Sequence, residues 1–327
     1  MNGATRTLRR ILAKPWIWAY VAAVGAWLAT VVFTSGQAAS GLATAAFIFA
    51  SFSTMVAIGQ MFVITLGPGN IDLSIPTTMV LSGTVAIKTM DGDPAMIPIG
   101  LALAIIVGLA VGVFNFSLIR LLNIPPIIAT LSSQFIILSA AIVWNRGLRI
   151  KPPEILGDFP SALVLGFPLL AILVIALAAA MHVVLNRTIY GRGVTAIGQS
   201  ERAARLSGVH VQRVRFTAYV VSAVLAALAG FLLASFSGGA ALNMGSPYLL
   251  TSIAVVVIGG TSVAGGDGNV PGLWGAALFL FLLSAMLNTF SDTIAALGLG
   301  SEGVKQILTG AIVILVIVLA SFRRAPD

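Results

Sequence analysis

Apolar positions along this chain come in long unbroken runs, with the polar positions gathered between them. The runs cover about residues 16–34, 42–66, 76–90, 95–119, 126–144, 162–185, 214–236, 247–264, 272–290 and 304–321. Most approach the ~20 residues that an α-helix needs to cross a bilayer. None alternates over ~10 residues as a membrane barrel strand does. The pattern predicts an all-α polytopic membrane protein with about ten transmembrane helices. The third run is short, and Gly67, Pro68, Gly69 and Pro76 interrupt the chain around its start. Such residues do not sit in a continuous helix, so broken or re-entrant segments are expected here, with nine spans as the alternative count.

Composition agrees with the runs. Of 327 residues, 58% are apolar and 9% charged, against about 25% charged in a soluble domain. A soluble enzyme and a disordered chain are both excluded. The expected organisation is a basic N-terminus at 1–15, one transmembrane domain at 16–321 and a short tail at 322–327. Arg6, Arg9, Arg10 and Lys14 precede Trp16, Trp18 and the first run. That order also fits a signal peptide, but no clear small-residue cleavage site follows, so a first spanning helix is the expectation.

The net charge is +8. With the N-terminus inside and ten spans, only Lys88, Arg146, Arg149, Lys151 and Lys305 of the 18 basic residues fall outside. The positive-inside rule therefore places both termini in the cytoplasm. A multi-pass membrane protein, surrounded by lipid, accounts for the basic balance without nucleic acid as a partner. The chain has no cysteine, and its two histidines, His182 and His210, are far apart. No metal centre is expected. No GxxxxGK[ST] phosphate loop and no catalytic constellation occur. The chain is expected to be no enzyme and to bind no cofactor itself.

The most basic connection runs from 186 to 215. It holds Arg187, Arg192, Arg202, Arg205, Arg213 and Arg215 against Glu201 alone. Ser200 suits an N-cap, Glu201 the first helical turn, Arg205 the last turn and Gly208 the residue past the end. A short capped helix over 201–207 is predicted outside the membrane, after a turn at Gly191 and Gly193. Its small Ala203 and Ala204 suit close approach by a docking partner; a solvated loop is the plainer reading.

Polar residues within or beside the spans are candidates for a solute route: Gln60, Asn70, Asp72, Ser74, Asn115, Gln134 and Asn288, with Ser132, Ser133 and Ser284. Amides and hydroxyls donate and accept without imposing charge, which suits a neutral solute; bonding between helices is the structural alternative. Asn70, Asp72 and Ser74 also suit capping of the third run, with Pro76 in its first turn. A second Gly-rich break holds Gly259, Gly260, Gly265, Gly266 and Asp267, read equally as a tight turn or an inner gate. The connection 145–160, with Arg146, Arg149, Lys151 and Glu154, is a candidate docking surface for an extracytoplasmic binding protein.

Four segments, in this order, resemble one family: VITLGPGNIDLSIPTTMVLSG, NIPPIIATLSSQFI, YGRGVTAIGQSERAARLSGV and VVVIGGTSVAGGDGNVPGLWGA. They are similar to motifs of the permease subunits of ribose-type (monosaccharide) ABC importers, a family that also includes branched-chain amino acid permeases. The resemblance covers about Met55 to Ala320. Two positions depart from it. Gly67-Pro68-Gly69-Asn70 stands where the family usually has two glycines before IDLS, and Asn123 stands at a usually basic position.

The resemblance implies a transmembrane pathway for a monosaccharide delivered by a binding protein, either periplasmic or lipid-anchored. ABC ATPase subunits using ATP and Mg would drive it, beside a second permease copy, identical or related. Ser200, Glu201, Arg202, Ala203, Ala204, Arg205 and Gly208 match the segment that couples to the ATPase. A branched-chain amino acid permease and an ion-driven secondary transporter are the alternatives.

Overall fold

A computed structural model describes residues 14, 16–37, 39–145, 150–295 and 310–311. The tenth apolar run, apart from Gly310 and Ala311, lies outside the described residues, as do residues 1–13 and the tail at 322–327.

The apolar runs fold as α1 (Ile17–Phe33), α2 (Ala39–Thr65), α3 (Ile75–Met90), α4 (Ile97–Leu121) and α5 (Pro126–Trp144). A short α6 (Glu154–Asp158) and a two-stranded hairpin, β1 (Leu163–Val164) with β2 (Phe167–Pro168), precede α7 (Leu169–Arg187). Then come α8 (Ile189–Gln199), α9 (Glu201–Leu206), α10 (Val211–Phe236), α11 (Tyr248–Ile258) and α12 (Val270–Ala295). Among the described residues, six helices are long and apolar enough to cross a membrane. The shorter α1 and α11 are also apolar.

Three expectations need correction. The all-α reading misses the β1–β2 hairpin. It forms at Leu165-Gly166, both with positive φ, and delays the start of α7 to Leu169. The run 247–264 is helical only to Ile258, because the chain turns at Gly259-Gly260. The turn predicted at Gly191 and Gly193 is instead part of α8. Thr188 caps that helix by accepting from the Gly191 N–H at 3.1 Å.

Helix α10 is the axis of the bundle. It packs against α2, α3 and α4, and glycines bring the backbones together. A Cβ at Gly59 of α2 would meet the Ser222 backbone of α10, and one at Gly112 of α4 the Val220 backbone. With no hydrophobic drive between helices in lipid, close contact of this kind supplies much of the packing. On the other flank α12 packs against α1 and α2, where the Tyr20 hydroxyl donates to the Pro271 carbonyl at 2.7 Å.

Candidate functional site

Two sets of residues stand out, one at the end of the bundle where α8 and α9 lie and one deep inside it. Ser200 has extended backbone, so its side chain accepts from the Ala203 N–H at 3.3 Å. This starts α9 immediately after α8. Gly208, at φ +83°, ends it in the left-handed region that glycine adopts without strain. Helix α9 ends at Leu206, one residue before the expected boundary. Arg202, Ala203, Arg205 and Leu206 are exposed.

The pair Ala203-Ala204 does not act as one small-residue face. Ala204 is buried in the core, because consecutive helix residues point to different sides, and only Ala203 faces out. Leu206 was not singled out from the sequence. It is 83% exposed and gives α9 an apolar tip.

Glu201 joins two helices. Its carboxylate accepts from Arg205 at 2.6 Å within α9 and from Arg215 of α10 at 2.7 Å. Partial burial works to raise the Glu201 carboxyl, but hydrogen bonds and charges from Arg205 and Arg215 outweigh it and hold it below its ordinary value of 4.5. A lowered carboxylate contributes stability above its unfolded value and loses it as pH falls through the folded value. Thermal denaturation in detergent should therefore show a Glu201-dependent loss only below about pH 4.5. Glu201→Gln should remove that acid step and leave the profile above pH 6 unchanged in shape.

Directly behind α9, three backbone segments meet without side chains. Gly198 closes α8, Gly67 follows α2, and Gly265-Gly266 belong to the connection between α11 and α12. A Cβ on Gly198 would strike the Thr65 carbonyl and the Gly266 backbone, and one on Gly265 would strike Gly67. The Gly266 N–H donates to the Thr65 carbonyl at 2.9 Å. The two Gly-rich breaks, distant in sequence, thus touch each other and the helix that leads into α9. Within the second break, Asn269 donates to the Gly259 carbonyl at 2.7 Å. Asp267 is exposed, while Gly259 is buried.

Five of the proposed route residues form one buried network. The Asp72 carboxyl accepts three hydrogen bonds: from the Ser74 N–H at 3.0 Å, the Ser74 hydroxyl at 2.6 Å and the Ser222 hydroxyl at 2.8 Å. Asn115 of α4 donates to the Ser74 hydroxyl at 2.7 Å, and Ser133 of α5 donates to the Asn115 carbonyl oxygen at 2.5 Å. The Gln60 side chain of α2 accepts from the Asp72 N–H at 3.3 Å. Asn70 stands apart from this network, accepting from Tyr219 of α10 at 3.4 Å. All these side chains are buried.

The capping expectation holds only in part. Ser74 is the N-cap position of α3 and Pro76 lies in the first turn, but the Ser74 side chain makes no cap bond. It serves the network instead. Gln134 and Asn288 do not join it: Gln134 has a buried oxygen without a partner, and Asn288 is exposed on α12.

Comparison with known proteins fixes the family. The family described as "Branched-chain amino acid transport system / permease component" matches residues 41–317. The chain belongs to this permease family. Among its relatives, the autoinducer 2 import system permease protein LsrC of Enterobacter sp. is 32% identical over 76% of this chain and 72% of its own. The ribose import permease protein RbsC of Haemophilus influenzae is 31% identical over 83% of this chain and 81% of its own. The protein of that name from Escherichia coli K12 is 30% identical over 84% and 83%. No solved structure matches.

Of the docking candidates of this permease, Arg146 and Arg149 lie outside the described residues. Lys151 and Glu154 are exposed, Glu154 in the first turn of α6. Sequence reasoning also missed Arg215 as a partner of Glu201. It stands fourteen positions further on, in another helix, a spacing with no local rule.

Proposed function

We propose that this permease is the membrane subunit of an ATP-driven importer for a neutral monosaccharide. It works with ten spans and both termini in the cytoplasm of a bacterial inner membrane, beside a second permease copy. Two ATPase subunits hydrolyse ATP with Mg, and a binding protein delivers the solute on the other side, docking on the surface that includes Lys151 and Glu154. The chain itself performs no covalent chemistry. The ribose permeases among its relatives support a sugar as solute, and so does the absence of charged residues from the middles of the apolar runs. The family description favours a branched-chain amino acid as the second reading.

The observation that carries the mechanism is the Glu201 junction. Helix α9 presents Arg202, Ala203, Arg205 and Leu206 outward, as a docking helix for the ATPase requires. Through Glu201 and Arg215 it holds the start of α10, the axis of the bundle. Displacing α9 by ATP-driven closure of the ATPase pair therefore pulls on α10, and through Gly198 on both Gly-rich breaks. Alternating access follows from these two linkages.

Reconstituted with its ATPases and binding protein, the permease should take up a labelled sugar on ATP addition, and an imposed ion gradient alone should drive nothing. Glu201→Gln and Arg215→Gln should each lower uptake about tenfold while ATP hydrolysis persists. Their cost in stability should stay below about 1 kcal/mol, since both ion pairs are partly exposed. Normal uptake by both variants would remove the coupling assignment, and ion-driven uptake would remove the importer reading.

A further inference from the structure

At the end of α10 remote from α9, a cavity of about 400 Å³ lies between α2, α10, α11 and α12. Since α10 has 26 residues, the two ends stand about 39 Å apart at 1.5 Å per residue. The cavity belongs to none of the route candidates grouped around Asp72.

Its walls combine ring faces with hydroxyls. Phe49 of α2 and Phe281 of α12 stack with centroids 5.2 Å apart, and Tyr248 opens α11 beside them. Ser53, Ser237 and Ser284 line the same space. Elsewhere Ser51, Ser117, Ser139 and Ser235 return their hydroxyls to the carbonyl four residues earlier. The helical pair Ser53 and Ser284 makes no such bond. Its hydroxyls are left to whatever enters. Among the described residues, no lining residue carries a charge.

We infer that this cavity is the permease's own transit site for a neutral polyhydroxy solute, entered from the face opposite α9. Aromatic faces cover the apolar C–H surface of a sugar ring, while serine hydroxyls donate to and accept from its hydroxyls. The size falls in the range of small-molecule sites, which are mostly apolar with a few placed polar groups. An amino acid zwitterion would lack a counter-charge for either end. The inference rests on the sugar reading above and adds where in this chain the sugar is held.

The chain has no cysteine, so single substitutions S53C and S284C give clean labelling targets. In the complete reconstituted importer, uptake of D-ribose, D-xylose and D-galactose is measured first. A water-soluble methanethiosulfonate is then applied with and without whichever sugar is imported. At ten times the half-saturating sugar concentration, labelling at both positions should slow about tenfold, by mass action. Labelling of the exposed control S161C should not change. The double variant S53A/S284A should raise half-saturation for uptake about tenfold, from two lost hydrogen bonds, with basal ATP hydrolysis intact. Uptake without protection at either cysteine overturns the cavity assignment and leaves the sugar reading standing. Uptake of none of the three sugars overturns the sugar reading and this inference together.

Discussion

Gly198→Ala should cost the permease about 3 kcal/mol and most of its uptake. The added methyl would strike the Thr65 carbonyl and the Gly266 backbone. Overpacking costs about 1–3 kcal/mol where side chains can give way. Backbone from two other segments gives way least, so the upper end applies. The same methyl parts the Gly266 N–H from the Thr65 carbonyl, now 2.9 Å apart. At about 2–4 °C per kcal/mol for a chain approaching this size, the melting temperature in detergent should fall by roughly 6–12 °C.

ATP-driven uptake should fall at least about tenfold, which takes only about 1.4 kcal/mol of misplaced coupling. Gly25→Ala is the control: no atom lies within 4 Å of a Cβ there, and alanine favours the helix. If Gly198→Ala melts and transports like Gly25→Ala, the junction is neither tight nor part of the linkage.

The sequence is most readable where one local rule decides. Long apolar runs became helices at close to their expected bounds, with α5 at Pro126–Trp144 and α3 at Ile75–Met90. Ser200, Glu201, Arg205 and Gly208 carry a complete start and stop signal within nine residues, and α9 lies between them. Rules of this kind act through neighbours in the chain and need no tertiary partner.

The parts that escaped depend on distant contacts. Gly191 and Gly193 look like turn residues, yet the Thr188 cap and packing against the end of α7 keep them helical. Gly67, Gly198 and Gly266 each resemble an isolated breaker, and only folding reveals one junction. The route candidates show the same limit from the other side. Gln60, Asp72, Ser74 and Asn115 read in the sequence as polar residues near spans, and they do find one another. What they build is a buried network in which, of these four, only the Gln60 amide NH2 lacks a partner. The cavity hydroxyls of Ser53 and Ser284 lie outside that network, and of the two only Ser284 is a candidate from the sequence.

That distinction makes the Asp72 series decisive. Asp72→Ala should destabilise the permease by about 3–5 kcal/mol, at about 1–3 kcal/mol for each buried donor left unpaired. It strands the Ser74 N–H, the Ser74 hydroxyl and the Ser222 hydroxyl, all buried donors. Asp72→Asn should cost only about 1–2 kcal/mol. Its amide oxygen still accepts both bonds from Ser74, and the Ser222 hydroxyl can turn to accept from the new NH2. Ser222→Ala should fall near the same value, since it removes a single donor.

Uptake per folded molecule separates scaffold from pathway. As a scaffold, Asp72 acts through geometry, so Asp72→Asn retains transport in proportion to the folded fraction. If the carboxylate itself met the solute or a coupling ion, Asp72→Asn would melt near the parent temperature and transport nothing. The ordering Ala worse than Asn in melting, with transport following the melt, is what three hydrogen bonds onto one carboxyl between α3 and α10 require.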